Sequence, residues 1–348
     1  MKTFIALMVV SQSLLISGYT RHNTVRPPVS TSSASAAGNE TIYAAGWQGG
    51  GVYAIRPDTG EITEQTKTVL FNNFRLAWNE SRHELYVAAD NGDAICVLAP
   101  KPLRQITVIR EGVGWNAHAI AVNPDGTRLY AAFSNFSADP KGQASSRLAV
   151  YDLETRRLAK SVMLADKDEH PVLALSPDGS QLFVSRKNAF EVYDASSLTR
   201  PRRVETQAIA ARVLAVSPNG RSLYAATNYR MAGFAERVDA DALKAESRRI
   251  EPAFTLTLAR DGGRVWVASG QEIVECDPEF KPLRRLKLPG GAVDIEESLD
   301  GTSLYVLLLE GGPEKKNTEI CVVDLSSGEV ARRFKTPGEL RDLLVVAP

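Results

Sequence analysis

Val172-Leu173-Ala174-Leu175-Ser176-Pro177-Asp178-Gly179-Ser180-Gln181-Leu182-Phe183-Val184-Ser185 is an apolar run, a four-residue turn and a second apolar run. Pro177 presets φ for the second turn position, Asp178 tolerates the bridge region, and Gly179 permits positive φ. Two short β-rich runs joined in this way spell a hairpin. One hairpin decides little, but its recurrence decides the fold.

Variants of the turn stand at Asn79-Glu80-Ser81-Arg82, Asn123-Pro124-Asp125-Gly126, Ser217-Pro218-Asn219-Gly220, Ala259-Arg260-Asp261-Gly262 and Ser298-Leu299-Asp300-Gly301. The aromatic anchors Tyr43, Tyr86, Tyr130, Phe183, Tyr224, Trp266 and Tyr305 recur at intervals of about 40 residues, the period of a four-stranded propeller blade. The one long interval contains a polar insertion, Ser134 to Ser146. Third and fourth runs follow each anchor, as in Leu148-Ala149-Val150-Tyr151-Asp152 with Leu158. No stretch has strong helical periodicity.

The ends of the chain complete the count. Tyr43 has no inner strand before it, and Leu343-Leu344-Val345-Val346-Ala347-Pro348 is an inner strand with nothing after it. Joining the two predicts an all-β chain: a single seven-bladed β-propeller, closed by pairing of the C-terminal strand into the N-terminal blade.

Before the repeats, Lys2 precedes the apolar run Phe4 to Val10 and then Leu14-Leu15-Ile16, followed by Ser17 and Gly18. A positive start, a short apolar stretch and small residues describe a secretory signal over 1–18. Residues 19–38 read as a disordered Ser/Ala/Pro-rich tether, and 39–348 as the propeller. The expected location is periplasmic or secreted. No Cys follows the leader for a lipid anchor, and no membrane span is expected in the mature chain, which reads as a monomer. Net charge is zero, so the chain as a whole has no bias toward nucleic acid or anionic lipid. The three cysteines, Cys96, Cys276 and Cys321, fall on outer strands of different repeats and are expected to be buried free thiols.

The repeat Leu182-Phe183-Val184-Ser185…Phe190-Glu191-Val192-Tyr193-Asp194, with its Ser-Pro-Asp-Gly turn, resembles the YVTN (YncE-like) β-propeller repeat. The resemblance spans roughly residues 40 to 348. It implies an exported propeller, and its motif residues are turn and core residues, so it carries no catalytic position across. Relatives include binding proteins, lactonase-like propellers, an amine-dehydrogenase accessory chain and a single-stranded DNA binder. The family's Asn-rich segment is poorly kept, as Asp90-Asn91-Gly92-Asp93 and Arg186-Lys187-Asn188.

Aligning the hairpins places unlike residues at the start of the inner strands, at the mouth of the central channel. They form the ring Phe74, His118, Pro171, Arg212, Phe254, Val293 and Asp342, with Arg75, His170, Asp294 and Arg341 beside it and Trp115 and Asn116 in the adjoining loop. Arg75, Trp115, His118, His170, Arg212, Asp294, Arg341 and Asp342 are therefore the candidate ligand-binding residues. Arginines suit an anionic or carbonyl-bearing small molecule, and histidines can move protons. The plain alternative is a solvated mouth in which the arginines pair with Asp294 and Asp342. His118 and His170 are weak metal candidates because no third ligand is fixed, so no metal is assigned. Gly46-Trp47-Gln48-Gly49-Gly50-Gly51 lacks the Lys-Ser/Thr of a phosphate loop, and Asp166-Lys167-Asp168-Glu169 reads as a solvated loop. No haem motif or catalytic triad is legible, and no cofactor is expected.

The function expected is a ligand- or protein-binding scaffold acting through its loop-crowned face. An enzyme or redox-enzyme accessory subunit is the alternative. Single-stranded nucleic-acid binding is a further one, resting on Arg186, Lys187, Arg212, Arg230, Lys315, Lys316 and Arg341 with Tyr229, Phe234 and Trp47.

Overall fold

The computed structural model describes residues 40–46, 51–68, 73–89, 93–110, 112, 114–135, 145–164, 170–199, 201–209, 211–227, 233–242, 244–309 and 318–347. The leader and tether, Trp47, Asp90 to Gly92, the 166–169 loop, Tyr229, Arg230, Lys315 and Lys316 lie outside them.

Seven antiparallel sheets form the ring. Blade 1 runs Leu340–Val346, Thr41–Gly46, Val52–Ile55, Ile62–Thr66 from the inside out. Blade 2 runs from Asn73–Asn79 to Leu103–Arg110, and blade 3 from Trp115–Val122 to Arg157–Met163. Blade 4 comprises Leu173–Leu175, Gln181–Asp194 and Arg202–Ile209. Its long middle element fills the second and third strand positions: it folds back beside Asn188 (φ 59°), and Ala195 N donates to Ser180 O at 2.9 Å. Blades 5, 6 and 7 start at Val213–Val216, Thr255–Leu258 and Ala292–Glu297. No helix occurs among the described residues, so none is long and apolar enough to cross a membrane.

The predicted closure is present. Thr41 to Ala45 pair in register with Val346 to Asp342, so the last strand is the inner strand of the first blade. The anchors all lie on second strands and are buried, and the inner strands bury Leu76, Ile120, Leu173, Leu214, Leu256, Ile295 and Leu343 between neighbouring blades. Each such aliphatic contributes about 1.5–3 kcal/mol by leaving water. The fourth strands form the rim and are largely exposed, as in Arg157–Met163. The three cysteines are buried thiols, but they sit on third strands rather than on these outer ones. Burial, with nearby carboxylates, pushes the Cys276 thiol up to about 12 and the Cys321 thiol up to about 11.

The hairpin turns hold neighbouring blades as well as closing their own. In blade 4, Ser176 Oγ donates to Asp178 Oδ1 at 2.6 Å and accepts from Gln181 N at 2.8 Å. Gly179 has φ +71°, and a Cβ placed there would lie 2.7 Å from Pro124 Cδ in the preceding blade's turn. The proline of one turn thus packs against the glycine of the next.

Candidate functional site

The inner strands enter the ring from the loop-crowned face, and their register sets which side chains meet there. Anchor pairing aligns Ala77, Ala121, Ala174, Ala215, Thr257, Glu296 and Leu344 across the seven blades. Two residues upstream stand Arg75, Ala119, Val172, Val213, Thr255, Asp294 and Asp342. One further upstream stand Phe74, His118, Pro171, Arg212, Phe254, Val293 and Arg341. The ring expected from sequence is therefore corrected at blade 1: Arg341 belongs to the level of His118 and Arg212, while Asp342 lies one level down with Arg75 and Asp294. In blades 1, 2, 3 and 7 the register shifts at this upper level, at Arg341, Phe74, His118 and Val293. At His118 and Arg341 a bulge of this kind re-aims the side chain.

On the lower level, a chain of contacts crosses three blades. Asp294 accepts the backbone N–H of Leu343 at 2.9 Å, and Asp342 accepts that of Leu76 at 2.8 Å, so each carboxylate binds a main-chain N–H within the inner strand of the next blade. Arg75 Nη1 lies 3.9 Å from Asp342 Oδ1, with both side chains buried. Burial, and then the Asp294 charge, raises the Asp342 carboxyl well above the usual carboxylate range, against the opposing pull of Arg75. The expected Arg–Asp pairing is thus present for Arg75.

On the upper level, the two histidines of adjacent blades meet. His118 Nδ1 and His170 Nδ1 are 3.2 Å apart, with ring centroids 4.6 Å apart and planes at 80°. His118 Nε2 is hydrogen-bonded to Ser134 Oγ. His118 is 3% exposed, His170 9% and Ser134 0%, so His170 is the open end of a buried Ser134–His118–His170 chain. Burial, then His170, Arg75 and Arg212, hold His118 well below the ordinary imidazole value. Burial, then Arg212 and Arg75, push His170 down to about 4. Both imidazoles are neutral at pH 7, in the field of two guanidiniums that stay charged.

Four of the eight expected residues, Arg75, His118, His170 and Arg212, therefore act on one another, and Asp342 joins them through Arg75. Asp294 belongs to the carboxylate chain. Arg341 is ion-paired with Glu339. Trp115 lies under the Arg147 guanidinium at 4.1 Å from its ring, with Phe133 at 5.5 Å on the same group. Sequence reading missed Ser134 and Arg147. Ser134 opens the polar insertion and Arg147 follows it; the insertion read only as an interruption of the repeat, yet the blade 3 strands extend into it and pair Asn116 with Ser134 and Trp115 with Asn135. Arg186 is fully buried, 3.5 Å from Glu191, and so adds nothing to an exposed basic patch. The described residues hold no group of three or more His, Cys, Asp or Glu arranged for a metal, and the flanking arginines would repel a cation from the histidine pair.

No protein-family model matches the chain, and no curated protein does. Solved structures share its fold. A functionally unknown protein from Desulfotomaculum acetoxidans superposes with a TM-score of 0.68 at 12% identity, over 88% of this chain and 99% of that one. Kuenenia stuttgartiensis hydrazine synthase gives 0.62 at 16%, over 83% and 98%. The dihydro-heme d1 dehydrogenase NirN gives 0.61 at 17%, over 94% and 79%. Identities this low establish a common seven-bladed propeller and nothing about activity.

Proposed function

We propose that the protein is an exported binding propeller of the YVTN-repeat kind, which takes an anionic or carbonyl-bearing small molecule at its channel mouth. The observation that carries this reading is the contact of His118 with His170 in the field of Arg75 and Arg212. Both guanidiniums supply positive charge, and the partly exposed Arg212 also supplies a planar array of donors, while His170, at the open end of the neutral pair, supplies a further hydrogen bond without adding charge. Low-dielectric walls strengthen each of these interactions. Export is part of the proposal and rests on the leader sequence.

The histidine pair favours binding over catalysis. A serine hydroxyl on a histidine Nε2 has the form of a nucleophile and its base, but Ser134 is fully buried and no substrate carbon reaches its Oγ. It serves instead to orient His118. The accessory-subunit and nucleic-acid readings have no comparable feature in their favour.

The test is an isothermal titration of the full chain with sulfate, a tetrahedral anion that does not change protonation near neutral pH. Saturable one-site binding is expected, weakened at least about tenfold by Arg212→Ala, equivalent to about 1.4 kcal/mol. Absence of binding, or binding that Arg212→Ala leaves unchanged, would contradict the reading.

A further inference from the structure

The His118–His170 contact adds a regulatory consequence that rests on the binding reading above. An Nδ1···Nδ1 distance of 3.2 Å is a hydrogen bond only when one proton lies between the two nitrogens. In the neutral pair, that proton belongs to either ring. If it is on His118, Ser134 donates to His118 Nε2 and His170 carries its other proton on Nε2. If it is on His170, His118 Nε2 donates to Ser134 Oγ and His170 Nε2 is bare. A third proton converts both arrangements into one: Nδ1–H···Nδ1 in the middle, His118 Nε2–H to Ser134, and His170 Nε2–H donating at the open end. A fourth would put two protons on the central axis and break the contact. The pair therefore accepts one proton and no more.

We propose that this pair couples anion binding to proton uptake, so that a ligand seated at the mouth is taken up with a single proton from solvent. The groups facing the pair are Arg75 on blade 2, Ser134 on the second strand of blade 3 and Arg212 on blade 5. Asp342 of blade 1 and Asp294 of blade 7 stand behind Arg75, and Arg186 of blade 4 is engaged by Glu191. Arg75 and Arg212 oppose the extra proton in the empty site. A bound anion offsets their field and makes that proton acceptable. By linkage, protonation must then tighten anion binding to the same degree.

The experiment is sulfate titration of the full chain from pH 8 to pH 5, repeated in buffers of different ionisation enthalpy. The dissociation constant should fall at least about tenfold across that range, with uptake approaching and never exceeding one proton per anion. His170→Gln, which removes the imidazole at the mouth and leaves an amide there, should bind sulfate more weakly at pH 8 and lose the pH dependence, so that its dissociation constant stays flat down to pH 5. Ser134→Ala, which removes the acceptor for His118 Nε2–H, should reduce the uptake. Sulfate binding by the wild type with no pH dependence, or an unchanged pH dependence in His170→Gln, overturns the coupling and leaves the binding reading standing. Absence of sulfate binding at every pH overturns both.

Discussion

His118 and His170 are neutral in the folded chain, and this makes stability depend on pH. His170 has a folded value of about 4 against about 6.5 when unfolded. Between those values the unfolded chain binds more protons, so stability falls as pH falls through that window. The loss is about 3 kcal/mol for His170, from about 1.4 kcal/mol per unit, and His118 adds in the same direction. Asp342 opposes it: its raised carboxyl makes the folded chain the better proton binder, so its own contribution rises with acidification. Urea midpoints measured from pH 7 to 4.5 should therefore drop less steeply for His170→Gln than for the wild type. Equal slopes would mean the imidazole is not held neutral. At this scale the residue types at the mouth were legible in the sequence, but their partnerships were not. Nothing in the order of residues shows that Ser134 reaches His118, or that bulges at His118 and Arg341 interrupt the strand alternation.

The hairpin element was the most legible feature, because its chemistry is local. Pro177, Asp178 and Gly179 fix the turn through backbone angles and neighbouring hydrogen bonds. Its second role was hidden in the sequence, since the glycine of one turn meets the proline of the preceding blade's turn only once the ring is assembled. Gly301 provides the control. Its φ is +70°, but the preceding turn carries Arg260 where proline would stand, and a Cβ at Gly301 meets nothing within 4 Å. Gly301→Ala should cost about 1 kcal/mol from backbone strain alone. Gly179→Ala should cost more, because the added methyl must also displace Pro124. Chemical denaturation of the two variants checks the order, and equal losses would remove the inter-blade role of the turn.

The whole molecule is a ring held shut by one strand. Residues 341–348 include Leu343, Leu344, Val345 and Val346, all buried, and that strand pairs with Thr41 to Gly46. Deleting these eight residues removes about 6–12 kcal/mol of apolar burial, comparable with the total stability of an ordinary domain. The truncated chain should lose its cooperative melting transition, and an unchanged melting temperature would contradict the closure. Blade number and closure were readable because a period needs only counting, whereas the ligand was not, because the mouth is where the blades cease to repeat. The most direct test of the central claim is a crystal structure of the full chain with selenate, located by its anomalous scattering. The account predicts selenate at the channel mouth, hydrogen-bonded to Arg212 and beside His170. Selenate found only elsewhere on the molecule, with this mouth empty of it, would contradict the account.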